Sequence, residues 1–305
     1  MTANIKHIFD INTRLIGEID KSIYYFRRQE YDRALDIVAD SIQPMKDAAD
    51  AIVNDRDYFN LVSTESVLEM FTGILEAKKN GDYILLADLL ELQLMTFLFR
   101  VQELIIGKEE MSFDEDKYRD NVRMLLAHGS GFPEGMMESI HQGELLERGY
   151  RVEFTSTGLM TLAVEQDAGK TYYHTNCRIQ LEAFLLANTI YRKGTGHYII
   201  YGLGMGYHIR ELKELAPEAK IEVYEADHNI IQLACVFARM GELLEGDNIT
   251  IIYDPGMERI GERMDRMTGE EVLGIHYPSI KNVKHKIAKK IREDFYPWSK
   301  TLETC

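Results

Sequence analysis

Apolar side chains recur at three- and four-residue intervals over the first 128 residues, the spacing of amphipathic helices. Separate helices are predicted to begin near residue 4 and at Tyr31, Ser63 and Tyr83, and Gly81 marks the end of the third. The helix from Tyr83 to Ile106 is the most apolar, as is typical of a central helix covered on several sides. Short connections favour antiparallel neighbours, so this region predicts an up-down helical bundle.

The period of the apolar positions changes to two between Tyr150 and Tyr173, which predicts a small antiparallel sheet. Strands and helices then alternate, and this order implies a mostly parallel sheet. The strands are predicted at 198–201, 221–224, 249–252 and 271–275. The fold class is therefore α/β, with a helical bundle domain over 1–128, a linker over 129–149 and a methyltransferase-like Rossmann domain over 150–305.

Composition narrows the classes of function. The chain has 305 residues and a formal net charge of −15. A surface this acidic repels phosphate backbones and anionic lipids, so neither nucleic acid nor a membrane is expected as a partner. The N-terminus leads directly into a helical pattern without a signal-peptide stretch, so we expect a cytoplasmic protein. Cys177, Cys235 and Cys305 are too scattered for a disulfide framework or a thiolate metal site.

A glycine-rich turn follows the strand at 198–201 and opens a helix. Its glycines, Gly202, Gly204 and Gly206, allow a ligand to approach the backbone closely, and the helix N-terminus favours negative charge. The last glycine of the dinucleotide fingerprint G-x-G-x-x-G is replaced by Tyr207. This departure favours a nucleoside such as S-adenosylmethionine over NAD, because the nucleoside has no pyrophosphate to hold.

Acidic residues stand at the ends of the next two strands. Glu225 ends the strand at 221–224, where a carboxylate accepts hydrogen bonds from both ribose hydroxyls, and Asp227 follows in the same segment. Asp254 comes just after the third strand and is placed to bind an adenine amino group. Together with Gly202, Gly204, Gly206 and Tyr207, these acids predict a crevice for S-adenosylmethionine or a nucleotide beyond the carboxyl ends of the strands.

No catalytic group is assigned from the sequence. His174, His208 and His276 are the histidines nearest to the predicted crevice, and structural roles are favoured for His174 and His208. The chain has no H-x-x-x-H pair, no G-x-S-x-G motif and no P-loop lysine, and no metal site is predicted.

The segment Gly202-Leu203-Gly204-Met205-Gly206-Tyr207-His208, followed by Tyr224-Glu225-Ala226-Asp227, resembles the N-terminal Rossmann-like region of motility accessory factor (Maf) proteins. These are bacterial flagellin glycosyltransferases grouped near the hydroxymethylpterin pyrophosphokinase-like proteins. The resemblance covers about residues 150 to 279, and it implies a Rossmann-like fold and a glycosylation or motility context. In that family the transferase chemistry belongs to a following domain with a Gly-Pro-Ser-Leu type of motif, which this chain lacks.

The same segment is similar to the cofactor half of spermidine synthases and class I methyltransferases. Many methyltransferases carry an Asn/Asp-Pro-Pro-Tyr type of motif after the fourth strand, where this chain has His276-Tyr277-Pro278-Ser279. Three hypotheses stay open. The first is a Maf-related module that binds a nucleoside or nucleotide, and the second is an S-adenosylmethionine-dependent methyltransferase or aminopropyltransferase-like enzyme. The third is a degenerate Rossmann scaffold with a protein partner bound through the helical bundle.

Overall fold

The computed structural model describes residues 1–60, 63–110, 114–138, 140–166, 169–281 and 283–295. The chain divides into two compact units. Unit 1 comprises Met1–Ser112, Phe154–Leu159 and Asn176–Leu181, and unit 2 comprises Phe113–Glu153, Met160–Thr175 and Glu182–Cys305. The predicted α/β class is confirmed, with an N-terminal helical bundle, a small antiparallel sheet and a parallel sheet.

Unit 1 is built from long helices whose ends follow the predicted signals. The side chain of Ser63 accepts a hydrogen bond from the Ser66 backbone N–H at 3.3 Å and so caps the third helix. Gly81 ends that helix with a φ of 67°, a left-handed conformation that glycine adopts without strain. The helices are α1 (Ala3–Arg27), α2 (Tyr31–Asn54), α3 (Thr64–Asn80), α4 (Tyr83–Leu89) and α5 (Met95–Lys108), with a π-helical segment (Leu90–Leu94) between the last two.

Unit 2 contains both sheets, except for Phe154 at the end of the first strand of the small sheet. It also contains most of the helix after the small sheet, whose first three residues belong to unit 1. Its first elements are α6 (Glu115–His128), β1 (Gly129–Ser130), α7 (Gln142–Glu147), β2 (Tyr150–Phe154), β3 (Met160–Gln166), β4 (Gly169–Tyr172) and α8 (Ile179–Ile190). The glycine-rich half follows, with β5 (His197–Tyr201), α9 (Tyr207–Leu215), β6 (Lys220–Glu225), α10 (His228–Phe237), α11 (Met240–Leu243), β7 (Ile249–Tyr253), α12 (Glu258–Asp265), β8 (Val272–Ile275), α13 (Tyr277–Lys281) and α14 (Lys286–Phe295). The small sheet has the order β2-β3-β4, and β3 and β4 are antiparallel as predicted.

The large sheet has the order β1-β7-β6-β5-β8, and all of its pairs are parallel. The strand β5 lies between β6 and β8. The chain therefore adds β6 and then β7 on one side of β5, and afterwards crosses to the other side of β5 to form β8. This reversal creates a topological switch point beyond the carboxyl ends of β5 and β8, the place where open α/β sheets bind ligands.

Both faces of the large sheet are covered, because successive side chains of a strand point to opposite faces. Tyr198 and Ile200 belong to a core cluster with residues of α6, α9 and α10, whereas Ile199 and Tyr201 belong to a second cluster with residues of α12 and α14. All four side chains are at most 1% exposed. Burial on both faces explains the continuous apolar runs of these strands.

The helix α6 packs within unit 2. The Asn121 side chain donates to the Cys235 carbonyl oxygen at 2.7 Å, and the Tyr118 hydroxyl donates to the Met137 carbonyl oxygen at 3.1 Å. The strand β1 follows α6 directly and pairs with β7 at the edge of the large sheet. The compact units therefore divide near Ser112, upstream of the linker at 129–149 that the sequence predicts.

Two further features concern the helices. The chain after β8 forms two short helices, α13 and α14. Among the residues that the structure describes, no helix combines the length and the apolar character needed to cross a bilayer.

Candidate functional site

The glycine turn lies between β5 and α9, and every residue from Gly202 to His208 is buried. Gly202, Gly204 and Gly206 have φ values of 98°, 49° and 74°. A Cβ atom added at Gly204 would lie 2.8 Å from His174 Nε2, and one at Gly202 would lie 2.5 Å from the Ser279 Cβ. The glycines are therefore required by the close approach of this chain's own side chains.

Glu225 ends β6, and its carboxylate points at the glycine turn. Its Oε2 accepts the Leu203 backbone N–H at 2.9 Å, and its Oε1 accepts the backbone N–H groups of Ala226 and Asp227 at 2.9 and 3.0 Å. The side chain is 2% exposed. Burial raises the pKa of Glu225 to about 7, although the three N–H donors oppose the shift.

Three histidines converge on the switch point. His174 follows β4, His208 lies in the first turn of α9, and His276 follows β8. The rings of His208 and His276 stack with centroids 4.7 Å apart and planes 6° from parallel, and the His174 centroid lies 5.1 Å from that of His276. All three side chains are buried. The structure thus brings together all the histidines that the sequence had singled out.

Each histidine is held by a backbone group near the turn. His174 Nε2 accepts the Met205 N–H at 2.9 Å, which leaves the proton on Nδ1. His208 Nε2 lies 3.1 Å from the Gly202 carbonyl oxygen, and His276 Nε2 lies 2.9 Å from the Tyr173 carbonyl oxygen. A carbonyl only accepts, so both of these nitrogens are donors. Among the described residues, His208 Nδ1 is buried without a hydrogen-bond partner.

Burial keeps these imidazoles neutral at physiological pH. Desolvation lowers the pKa of His276 to about 4, although its hydrogen bond to the Tyr173 carbonyl opposes the shift. The pKa values of His174 and His208 are lowered well below 6.5, first by desolvation and then by the neighbouring His276. Neutral imidazoles can accept protons, donate hydrogen bonds and bind metal ions. Such groups at a switch point are candidates for function.

Two other predicted residues have local roles. Asp227 caps α10, because its Oδ1 accepts both the backbone N–H and the side-chain amide of Asn229 at 2.9 Å. Its Oδ2 accepts the Tyr150 hydroxyl. Asp254 Oδ2 accepts the Ile260 N–H at 2.9 Å in the first turn of α12. Their carboxylates therefore already bind helix N-termini, and contact with a ligand stays a prediction.

Tyr207 is directed towards the small sheet. Its hydroxyl donates to the Met160 carbonyl oxygen at 2.9 Å and accepts the Met160 N–H at 3.2 Å. This side chain therefore joins α9 to β3.

Neither Glu182 nor Ser279 was assigned a role from the sequence. The Glu182 carboxylate accepts the Thr175 N–H at 2.6 Å and lies 3.8 Å from His174 Nδ1. The Ser279 hydroxyl lies 2.7 Å from His276 Nδ1. Ser279 follows His276 by three residues at the start of a short helix, and this spacing brings two side chains of a helical turn together. The spacing of His276 and Ser279 after the fourth strand was therefore the sequence feature that could have indicated their contact.

No protein-family model matches this chain, and no curated protein matches its sequence.

Proposed function

We propose that unit 2 binds a small nucleoside- or nucleotide-type ligand, with S-adenosylmethionine as one candidate, at the carboxyl ends of β5 and β6. The observation that supports this proposal best is the direct hydrogen bond between Glu225 and the glycine turn at 2.9 Å. It joins the two elements from which the sequence predicted a crevice. The resemblance to Maf proteins extends the proposal to a glycosylation or motility context.

The Glu225 carboxylate keeps capacity for one more donor. A carboxylate offers about four lone-pair positions, and three backbone N–H groups use three of them. Around it, Tyr150, Tyr173 and Asp227 are half-buried, and both tyrosines lie close enough for the acids to raise their pKa. A ribose hydroxyl that approaches from this side can use the remaining position.

A nucleoside that lies against Gly204 itself has to displace His174. The His174 ring fills the space that a Cβ atom on Gly204 would need, and its Nε2 accepts the Met205 N–H. A ligand oxygen that accepts the Met205 N–H would replace His174 Nε2 as the acceptor of that hydrogen bond. Binding at the turn and movement of His174 are therefore coupled in this proposal.

Thermal shift and calorimetry with S-adenosylmethionine, S-adenosylhomocysteine and a panel of nucleotide sugars test the proposal. We expect at least one of them to raise the melting temperature by mass action. Glu225→Gln should weaken that ligand about tenfold or more, which corresponds to about 1.4 kcal/mol. Glu222→Gln, in the same strand, is the matched control and should bind as wild type does.

Two results would contradict the proposal. If no compound in the panel stabilises the wild-type protein, nucleoside binding is wrong. If Glu225→Gln retains its melting transition and binds as tightly as wild type, the ribose contact is wrong. Methyl transfer from S-adenosylmethionine to any acceptor would support the enzyme hypothesis over a binding module.

A second candidate function is an interaction scaffold, and exposed apolar residues of unit 1 favour it. Leu68 and Leu75 are 63% and 61% exposed and lie two turns apart on α3. Ile84 and Leu92 are 70% and 69% exposed. The histidines packed against Gly202 and Gly204 also fit a crevice that holds no ligand. A panel without any response, together with self-association that Leu68→Lys abolishes, would support this candidate.

A further inference from the structure

A cluster of potential metal ligands lies beside the glycine turn, formed by His174, Glu182 and His276. One ligand atom from each residue lies within 4.8 Å of the other two. Both histidines are buried, and Glu182 is half-buried at the start of α8. The three residues come from distant parts of the sequence, so no short motif indicates the cluster.

We propose that His174, Glu182 and His276 bind a divalent transition-metal ion of the Zn²⁺, Co²⁺ or Fe²⁺ class. Two imidazole nitrogens and one carboxylate oxygen are a ligand set that these ions prefer, whereas Mg²⁺ and Ca²⁺ prefer oxygen ligands alone. The proposal does not rest on nucleoside binding, because it uses neither Glu225 nor a ligand of the crevice.

The neighbours of Glu182 and His276 suit coordination. Ser279 Oγ lies 2.7 Å from His276 Nδ1, so it can accept the Nδ1 proton and leave Nε2 as the ligand atom. The Thr175 N–H holds Glu182 Oε2 at 2.6 Å, and Glu182 Oε1 faces His174. The side chains of Glu182 and His276 are thus held by hydrogen bonds that also suit metal coordination.

A fourth ligand is available from the backbone. The Tyr173 carbonyl oxygen lies 2.9 Å from His276 Nε2. Two ligand atoms at bonds of about 2.1 Å are roughly 3 Å apart when they are adjacent on a metal. With the proton of His276 moved to Nδ1, the carbonyl oxygen and Nε2 can both face the ion.

Metal binding at His174 alters the glycine turn. His174 Nδ1 lies 3.8 Å from Glu182 Oε1, and the metal replaces the proton between them. A neutral imidazole bound through Nδ1 carries its proton on Nε2, and that nitrogen can no longer accept the Met205 N–H. The Met205 amide therefore loses its acceptor when the metal binds.

Titration of metal-free protein with Zn²⁺ and with Co²⁺ alone tests the site, by calorimetry and by the visible absorption of Co²⁺. Wild-type protein should bind one ion, and Mg²⁺ should not compete. Glu182→Gln should weaken binding about tenfold or more. It keeps an oxygen for the Thr175 N–H and lies on a half-exposed position, so its fold can be verified by thermal melting. His141→Gln, at an exposed histidine of unit 2, should bind as wild type does.

A ¹⁵N-methionine spectrum gives an independent reading, because the Met205 amide resonance should move when Zn²⁺ is added. His276→Gln should abolish that movement. Wild-type binding no tighter than that of Glu182→Gln would overturn the proposal. An unmoved Met205 resonance at saturating Zn²⁺ would overturn the assignment of His174 Nδ1 as a ligand. Neither result depends on whether a nucleoside binds.

Discussion

The two ends of the large sheet in unit 2 both carry a histidine beside glutamates, but they treat the polar groups differently. At the amino ends, His197 lies 3.0 Å from Glu222 and 2.9 Å from Glu271, and Arg263 binds both glutamates. At the carboxyl ends, Glu225 and the histidines bond to backbone groups. Charge meets opposite charge at one end, and uncharged imidazoles stack at the other.

This difference indicates that the ion pairs at the amino ends are a structural network, whereas the carboxyl ends form a candidate binding site. The side chains at the amino ends are 12–24% exposed, and they can exchange partners with one another and with water. Backbone N–H groups at the carboxyl ends are fixed by the fold and need a specific acceptor. Donors and acceptors held in fixed positions are what ligand recognition uses. We therefore place both the nucleoside site and the metal site at the carboxyl ends of the strands.

The largest expected change in the free energy of unfolding comes from Glu225→Ala, compared with Glu222→Ala in the same strand. Glu225→Ala leaves three backbone N–H groups without their acceptor, one of them buried and two half-buried, at a cost of about 3 kcal/mol of unfolding free energy. Glu222→Ala should cost about 1 kcal/mol, because its partners retain other contacts. Urea unfolding at two salt concentrations checks both values. Equal losses for the two variants, or a salt-dependent loss for Glu225→Ala, would remove the contrast between the ends.

Crowding at the glycine turn should have a smaller effect. Gly204→Ala places a Cβ atom 2.8 Å from His174 Nε2, and we expect a loss of about 2 kcal/mol. Gly194→Ala is the matched control, because Gly194 also has a positive φ, of 86°, but has open space around it. Its loss should be about 1 kcal/mol from backbone strain alone. Chemical denaturation of both variants measures the difference, and a milder effect at Gly204 would contradict the packing of His174.

The smallest expected effect is the proton-linked loss of stability at a single buried histidine. A histidine whose pKa is lowered in the folded state contributes to the stability of the fold at pH values above its ordinary pKa of 6.5. This contribution is lost as the pH falls below 6.5. Between about pH 7.5 and about pH 5.5, each buried histidine should cost about 1.4 kcal/mol. Glu225 acts in the opposite direction, because its raised pKa of about 7 makes the folded state more stable as it is protonated.

Comparison of wild type with His208→Leu isolates this effect. The variant is expected to be less stable at neutral pH, because it loses the hydrogen bond to the Gly202 carbonyl. Its stability should nevertheless fall less steeply on acidification, by about 1.4 kcal/mol over the same interval. Parallel pH profiles for the two proteins would mean that His208 is not held neutral by burial.

The sequence predicted the fold well where the pattern was local. The change of apolar period separated the helices from the strands, and Ser63 and Gly81 marked the ends of α3. The two-residue strand β1 was not predicted, because Gly129 and Ser130 show no alternation of apolar and polar side chains. They form a strand only through their pairing with β7. The strand tips were located correctly, but whether an acid there faces a ligand or caps a helix depends on tertiary contacts. Asp254 illustrates this, since it receives the Ile260 N–H.

The sequence placed the three histidines near the predicted crevice, but their ring contacts could not be predicted, because these depend on the strand order. His276 meets His174 and His208 only because β8 lies beside β5. Glu182 was overlooked for the same reason, since its partner His174 is set by the course of the chain after β4.

The most direct test of the central claim follows backbone amides by NMR in ¹⁵N-labelled protein during titration with the nucleoside panel. If the carboxyl ends of β5 and β6 bind the ligand, the amides of Leu203, Ala226 and Asp227 should shift together, because all three donate to Glu225. The amides of His197 and Lys220, at the amino ends, should stay in place. Shifts confined to the amino ends, or no shift at the Glu225 donors with any compound, would contradict the account.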